Sequence, residues 1–444
     1  MRTASLYVFV FAILIPVARA EEPDAEVQRC IKQLGADAFG ERDAAETQLL
    51  KLGLRAKAAL ESAVKSEDAE VQLRASRILA QLWDLDAREN EAAWSEKIGV
   101  GLGAAKLNAL IDKEKAPPLK DSAPKAGDKA DAELALAWLA QAQEPNGNWD
   151  SKKFGAQTDG DLAQTGLALL AFLGAGHTEK VGTYKLNLQR GVAWLKSRQR
   201  ADGAFCNRGE AVDGIAHGVC GLAMAEAAGM ARRPDTVASA QKAIDYSTKL
   251  HQSRSNGELS GFGRARDSKA PNLFVTTLFV MQMKSAKVAG LNVPHESFDG
   301  AIKFLDSVEE KTGYRLRPGE GITPQLTIMA NLARQFLGWK KEDLQPTVAA
   351  AIKELGAPAA GAENSNDLIT WIATLCVFQQ GGQMWKDWNS GLMKDLAEKQ
   401  AREGAERGSW PPGGVWAGAG RVAATAFNAL TVEVQFRYQL LEGK

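Results

Sequence analysis

Apolar residues recur at helical rather than strand spacing from position 24 onward. Val27, Ile31 and Leu34 make one stripe, and Ala45, Leu49, Leu50 and Leu52 make a second. Leu60 and Val64 follow, then Val71, Ala75, Ile78, Leu79 and Leu82. Steps of three, four and seven residues put such positions on one helix face. The pattern predicts short amphipathic helices over residues 24–83, separated at Gly53 and at Ser66-Glu67-Asp68.

From residue 132 the chain repeats itself. Ala137-Trp138-Leu139 returns as Ala193-Trp194-Leu195, Gln143 as Gln199, Gly147 as Gly203 and Trp149 as Phe205, all at an offset of 56. Tyr246, Gln252 and Gly257 echo the pattern loosely, and Gln400, Gly408 and Trp410 echo it with an insertion. Each such outer helix precedes a more apolar one. The apolar helices are expected to start near Asp161, Asp213, Pro271, Thr323, Asp367 and Gly420, at spacings of 44–58 residues. Gly174, Gly229, Gly290, Gly338 and Gly381 stand where left-handed helix stops are wanted. Asp161, Asp213 and Asp367 stand where N-caps are wanted. Strand signals are nearly absent. Six helical hairpins of alternating polarity predict an all-α fold, an (α/α)6 toroid with apolar helices inside and amphipathic ones outside.

Domain boundaries follow from composition shifts. Residues 1–20 read as a signal peptide: a basic start at Arg2, an apolar run from Leu6 to Val17, and Ala18-Arg19-Ala20 as a cleavage pattern. Residues 21–111 form a helical module and 112–131 a linker with ten charged residues and Pro117, Pro118 and Pro124. The toroid occupies 132–444. The sequence predicts an exported chain, periplasmic, cell-surface or secreted, with no membrane span once the leader is removed. Without residues 1–20, 52 basic residues face 54 acidic ones, so no basic footprint for nucleic acid exists.

Gln143-Glu-Pro-Asn-Gly147-Asn-Trp149 resembles the QW motif of terpenoid cyclases, and Gln199, Gly203 and Phe205 form a weaker copy. The stretch from Gly381-Gly382 through Trp385, Trp388, Gly408-Ser409-Trp410 and Thr425-Ala426 to Arg437-Tyr438 resembles exported bacterial proteins of the prenyltransferase/squalene-cyclase repeat superfamily. So does Leu278 to Pro294. The resemblance covers about residues 132–440 and implies the α/α toroid. In that family the Gln caps a helix end and stacks on the aromatic, while the Gly permits the turn. At the front, Phe39-Gly40-Glu41-Arg42 through Glu70-Val71-x-x-Arg74-Ala75 looks like a short HEAT-type repeat.

The chemistry that the resemblance implies is missing. Squalene-type cyclases protonate an alkene with an Asp-x-Asp-Asp motif, in which clustered carboxylates raise one pKa. This chain has none. Asp84-Leu85-Asp86 lies outside the ring, and Thr158-Asp159-Gly160-Asp161 reads as a turn and a cap. Asp213, His217 and Cys220 share one helix face, but Asp213 and Cys220 stand about 10 Å apart along it, too far for one zinc ion. His217 is instead expected to face the cavity, bonded to Asp213. No metal and no cofactor is expected. Cys206 and Cys220 are close enough in sequence for a disulfide to be open; Cys30 and Cys376 read as buried thiols. Five of 11 tryptophans fall between Trp371 and Trp416, and Trp371 begins an inner helix.

The cavity-lining candidates are therefore Asp161, Asp213, His217, Asp367 and Trp371. The sequence favours a non-catalytic toroid that binds a hydrophobic or saccharide ligand, or a protein partner. Two enzymatic alternatives remain open: a divergent isoprenoid cyclase using Asp161 or Asp367, and a saccharide-degrading enzyme, which needs two carboxylates about 5–10 Å apart.

Overall fold

A computed structural model describes residues 24–36, 39–64, 130–207, 210–356 and 366–437, with isolated positions between 66 and 78. Residues 1–20, read as a leader, together with Leu79, Leu82, Asp84 to Asp86 and nearly all of residues 112–131, read as a linker, lie outside the described residues. The chain divides into two compact units, on either side of Leu85.

In the first unit, α1 (Ala25–Gln33), α2 (Phe39–Leu52) and α3 (Lys57–Ala63) are short helices, of which α1 is strongly amphipathic. Asp24 caps α1 by accepting from Glu26 N at 3.1 Å. Val27, Cys30, Leu34, Leu49 and Leu60 meet in one core with Ala75 and Ile78. Cys30 takes the central place expected for Ile31, which is only partly buried. The Arg74–Glu46 ion pair, 2.8 Å long, is itself buried.

The second unit is the toroid. Its outer helices are α4 (Ala132–Ala142), α6 (Lys185–Ser197), α8 (Pro234–Tyr246), α10 (His295–Val308), α12 (Lys341–Leu355) and α14 (Gly382–Lys399). Its inner helices are α5 (Asp161–Gly174), α7 (Gly214–Ala231), α9 (Leu273–Val288), α11 (Pro324–Phe336), α13 (Asp367–Gln380) and α15 (Gly420–Arg437). Each inner helix packs on the next, and α15 packs back on α5, so the inner layer closes. Burial explains the polarity difference. An inner helix is walled by two inner neighbours and the outer layer, so runs such as Leu167 to Leu173 are buried throughout.

The expected inner-helix starts agree with those observed. Two of the five expected stops do not. Gly174 and Gly229 lie inside their helices, and the left-handed residues are Gly176 (φ 90°) and Arg232 (φ 47°). Gly174 answers a different need: a Cβ there would meet Glu433 Oε2 at 2.0 Å. The unit is not purely helical either. Two antiparallel hairpins, β1 (Gln252–Ser255) with β2 (Glu258–Phe262) and β3 (Glu309–Glu310) with β4 (Gly313–Tyr314), connect outer to inner helices.

Glutamines fasten the outer layer. Gln143 Nε2, at the end of α4, donates to Gly147 O in its own turn (2.9 Å) and to Asn187 O on α6 (3.0 Å). Gln199 bridges Gly203 O and Ser239 O on α8. Gln252 bridges Ser260 O and Ser297 O on α10. Gln400 bridges Gly408 O (2.9 Å) and Asp131 O (2.7 Å), which joins the last hairpin to the first. Trp149 and Trp410 tuck beneath their turns and donate through Nε1 to Leu139 O and Leu396 O.

Gly408 has φ 96°, and a Cβ on it would lie 2.1 Å from Leu134 O. Gly155 has a similar φ of 88° with nothing within 4 Å. Thermal or urea unfolding should therefore separate the two alanine variants. Gly408→Ala is expected to cost about 3 kcal/mol, from strain plus a backbone clash, and Gly155→Ala about 1 kcal/mol, from strain alone.

Candidate functional site: the central cavity

The inner helices enclose a cavity of about 460 Å³ that opens where they begin. All six contribute to its wall, including Leu170, Leu222, Met281, Met329, Trp371 and Phe427. A volume of this size suits a small molecule. Trp416, Phe427 and Trp371 form an aromatic ladder along one side, with ring centroids 6.5 and 6.1 Å apart in succession. Polar groups gather at the mouth: Asp159, Asn207, Glu210, Asp213 and Arg264. The Gly414–Ala419 segment borders the opening and is tied down by Trp416 Nε1 donating to Asn366 Oδ1 (2.9 Å) and Gln164 Nε2 donating to Ala419 O (2.6 Å).

Of the five candidates, Asp213 and Trp371 line this cavity and Asp161, His217 and Asp367 do not. Asp213 caps α7 by accepting from Ile215 N (2.8 Å), and its other oxygen pairs with Arg264 at 2.6 Å. Asp161 is not an N-cap. Its carboxylate accepts from Ser151 N, Ser151 Oγ and Asn148 Nδ2 at 2.7–2.8 Å, so it pins the preceding turn. Asp367 is not a cap either, because Asn366 performs that role for α13. The Asp367 carboxyl is buried beside Asn428, facing the wedge between α13 and α15. Burial pushes it up to about 6.

His217 is fully buried and does not bond Asp213. It accepts from Phe205 N through Nδ1 (3.1 Å), and Nε2 faces Ser247 Oγ (3.0 Å). Loss of solvent, then the neighbouring His251, hold it down to about 3. Cys220 points elsewhere again, toward Leu162 O at 3.3 Å. Asp213, His217 and Cys220 thus diverge, and no cluster fit for a metal exists among the described residues. All four cysteines are free thiols.

One feature escaped the sequence reading. Where the inner helices end, Arg437 pairs with Glu226. Beside them Glu433 is buried, and neither carboxyl oxygen has a hydrogen-bond partner among the described residues. Burial raises Glu433 well above the ordinary carboxylate range. The inner layer is therefore not devoid of ionisable groups, but these lie away from the cavity wall. Nothing in the local sequence marks them, since Glu226 and Glu433 sit in ordinary helical context more than 200 residues apart.

No protein-family model and no curated protein matches the sequence. Solved structures do match in fold. A glycoside hydrolase family 76 mannosidase from Bacteroides thetaiotaomicron VPI-5482 has a TM-score of 0.52 at 13% identity, covering 69% of this chain and 96% of that one. An inactive variant of an α-1,6-mannanase from Salegentibacter sp. HEL1_6, in complex with α-1,6-mannotetrose, has a TM-score of 0.50 at 12% identity, covering 68% and 97%. A type II terpene cyclase from Scytonema, with geranylgeranyl dihydroxybenzoate, has a TM-score of 0.45 at 14% identity, covering 75% and 98%. The chain is thus an α/α toroid by fold. No helix among the described residues is long and apolar enough to cross a membrane.

The Asp367 environment sets a pH dependence. A carboxyl raised from 3.8 to about 6 contributes stability below pH 4 and loses it as the pH rises through 6. Asp367→Asn removes that loss. Denaturant titration is expected to show the variant more stable than wild type by about 2–3 kcal/mol at pH 7.5, at 1.36 kcal/mol per pKa unit, and no more stable at pH 4.

Proposed function

We propose that this protein is an exported, non-catalytic toroid that holds a largely apolar ligand in its central cavity. The carrying observation is the wall itself: deep aliphatic and aromatic side chains beneath a rim that carries the polar groups. Such a wall binds by removing apolar surface from water, with the rim fixing orientation. The Trp416–Phe427–Trp371 ladder offers flat faces to a ring or a hydrocarbon chain. The commitments of the candidate acids support binding over turnover. Asp213 is committed to a helix cap and to Arg264, and Asp161 and Asp367 face away from the cavity. The leader at residues 1–20 supports export, and the Gln–Gly–aromatic turns support descent from a QW-type repeat.

A second reading, saccharide hydrolysis, draws on the rim acids Asp159 and Glu210. The inactive Salegentibacter mannanase variant carries two adjacent aspartates changed to alanine. This chain has no two consecutive aspartates anywhere. That counts against the same arrangement here, and Asp159 with Glu210 would have to supply it from separate loops.

Titration with 1-anilinonaphthalene-8-sulfonate tests the primary reading. Ala216 lines the cavity near the start of α7. Ala216→Trp is expected to weaken dye binding at least tenfold, with an unchanged unfolding midpoint. Wild-type protein is expected to release no sugar from α-1,6-mannan and to form no cyclic product from squalene. Turnover of either, lost in Asp159→Asn, would replace the binding reading with an enzymatic one.

A further inference from the structure

Five turns of the ring make one bond in common. The backbone N–H of a buried aromatic residue donates to a side chain in the following inner helix. In four turns the acceptor is a threonine hydroxyl. Thr165 serves Trp149 (3.2 Å), Thr276 serves Phe262 (2.9 Å), Thr327 serves Tyr314 (3.1 Å) and Thr425 serves Trp410 (3.2 Å). In the second hairpin the acceptor is His217 Nδ1, 3.1 Å from Phe205 N. A hydroxyl keeps its accepting lone pairs through the acid range, whereas an imidazole gains a proton there.

The tautomer follows from the partners. Phe205 N–H can only donate, so Nδ1 carries no proton and Nε2–H donates to Ser247 Oγ. A second proton would set an N–H against the Phe205 N–H. Nothing nearby would compensate. The His251 ring stacks on His217 at 5.8 Å, and Tyr246 and Phe279 close the other sides. Around this group, Asp213 on α7 is occupied by Arg264, Arg266 and Asp267 lie near His251, and Arg200 and Asp202 lie near Tyr246. On α7 itself, Cys220 turns toward α5. His251, itself held below its ordinary value by burial, is the titratable neighbour felt by His217, and any proton it takes has the same sign as one added to His217.

What hangs on this bond is the cavity wall. Phe205, Cys206 and Asn207 line the cavity. His251 holds the adjoining wall segment by donating through Nδ1 to Gly263 O at 3.1 Å, next to Arg264. We propose that the second hairpin is a proton-operated wall: in acid His217 takes a proton, releases Phe205, and the turn at residues 203–207 moves off the cavity. The inference rests on the ring and its turns, and holds whatever occupies the cavity. Burial holds the closed imidazole down to about 3. Once released it returns to the ordinary value of about 6.5, so each pH unit below that favours the open wall about tenfold.

Amide hydrogen exchange on the full chain tests this, with the four threonine turns as internal controls. Protection is expressed against the intrinsic rate at each pH. Between pH 6.5 and 5.0 the Phe205 amide is expected to lose about 15-fold protection. Trp149, Phe262, Tyr314 and Trp410 should stay within about threefold of their starting values. His217→Thr installs the acceptor used elsewhere in the ring and should flatten the Phe205 response; His217→Gln serves if the threonine variant fails to fold. A flat Phe205 profile in wild type would overturn the proposal. So would loss of protection at all five amides together, which is global acid unfolding, or acid sensitivity that survives in the folded variant.

Discussion

A glutamine carboxamide at the end of an outer helix satisfies two carbonyls at once, one in its own turn and one on the next outer helix. Four of the six hairpins are fastened by that bridge. The carbonyl of a turn lies outside any helix ladder and has no built-in partner. A burial that left it bare would cost more than one hydrogen bond normally contributes. Gln143, Gln199, Gln252 and Gln400 meet this need and, in the same act, set the spacing between neighbouring hairpins. The turn must pass close to the next helix for the carboxamide to reach, which is why a backbone carbonyl stands where a Cβ would be at Gly147, Gly203 and Gly408. With the spacing set, the inner helices have one way to bury their apolar surface, which is to close on themselves.

The sequence made this arrangement legible where the bridge is intact. Residues 143–149 and 199–205 keep the same four-residue step from Gln to Gly, and the inner helices start where their polar-to-apolar transitions fall. In the third hairpin a β-ribbon is inserted inside the step. Gln252 then bonds Ser260 instead of a residue four positions on, and Gly257 is the ribbon's own turn at φ 84°. The fourth hairpin has no such Gln. Its aromatic, Tyr314, is found only through the shared bond to Thr327. Acidic residues misled for a simpler reason. Asp161 and Asp367 occupy the first turn of a helix, where a carboxylate is favoured by the dipole whether or not it caps. Which way such a side chain turns depends on partners outside its own helix, Ser151 and Asn428 among them.

The cavity and the ionisable groups are kept apart by the same geometry. Inner helices present their first turns to the mouth and their last turns to the opposite end. Polar residues at the start of a helix reach solvent and cap neighbours, whereas Glu226, Glu433 and Arg437 at the far end neutralise one another or remain uncharged. Between them lies a stretch of wall built from aliphatic and aromatic side chains. A buried carboxyl that stays protonated costs little compared with a buried charge. That is how the fold carries Glu433 without a partner.

The seam between Gln400 and Asp131 also imposes a timetable. Its two ends are 269 residues apart, and the helix that seals the inner layer is the last of the ring in chain order. A growing chain can assemble hairpins one after another, because each contacts its predecessor. It cannot shut the annulus until synthesis of the final helix is complete. Until then the greasy flanks of α5 and α13 have no mate, and a nascent chain is most prone to aggregate in that interval. Closure over so long a span is also slow, since loop entropy must be surrendered before the contact repays it. The finished ring hides its most adhesive surface, and the unfinished one depends on protection from outside.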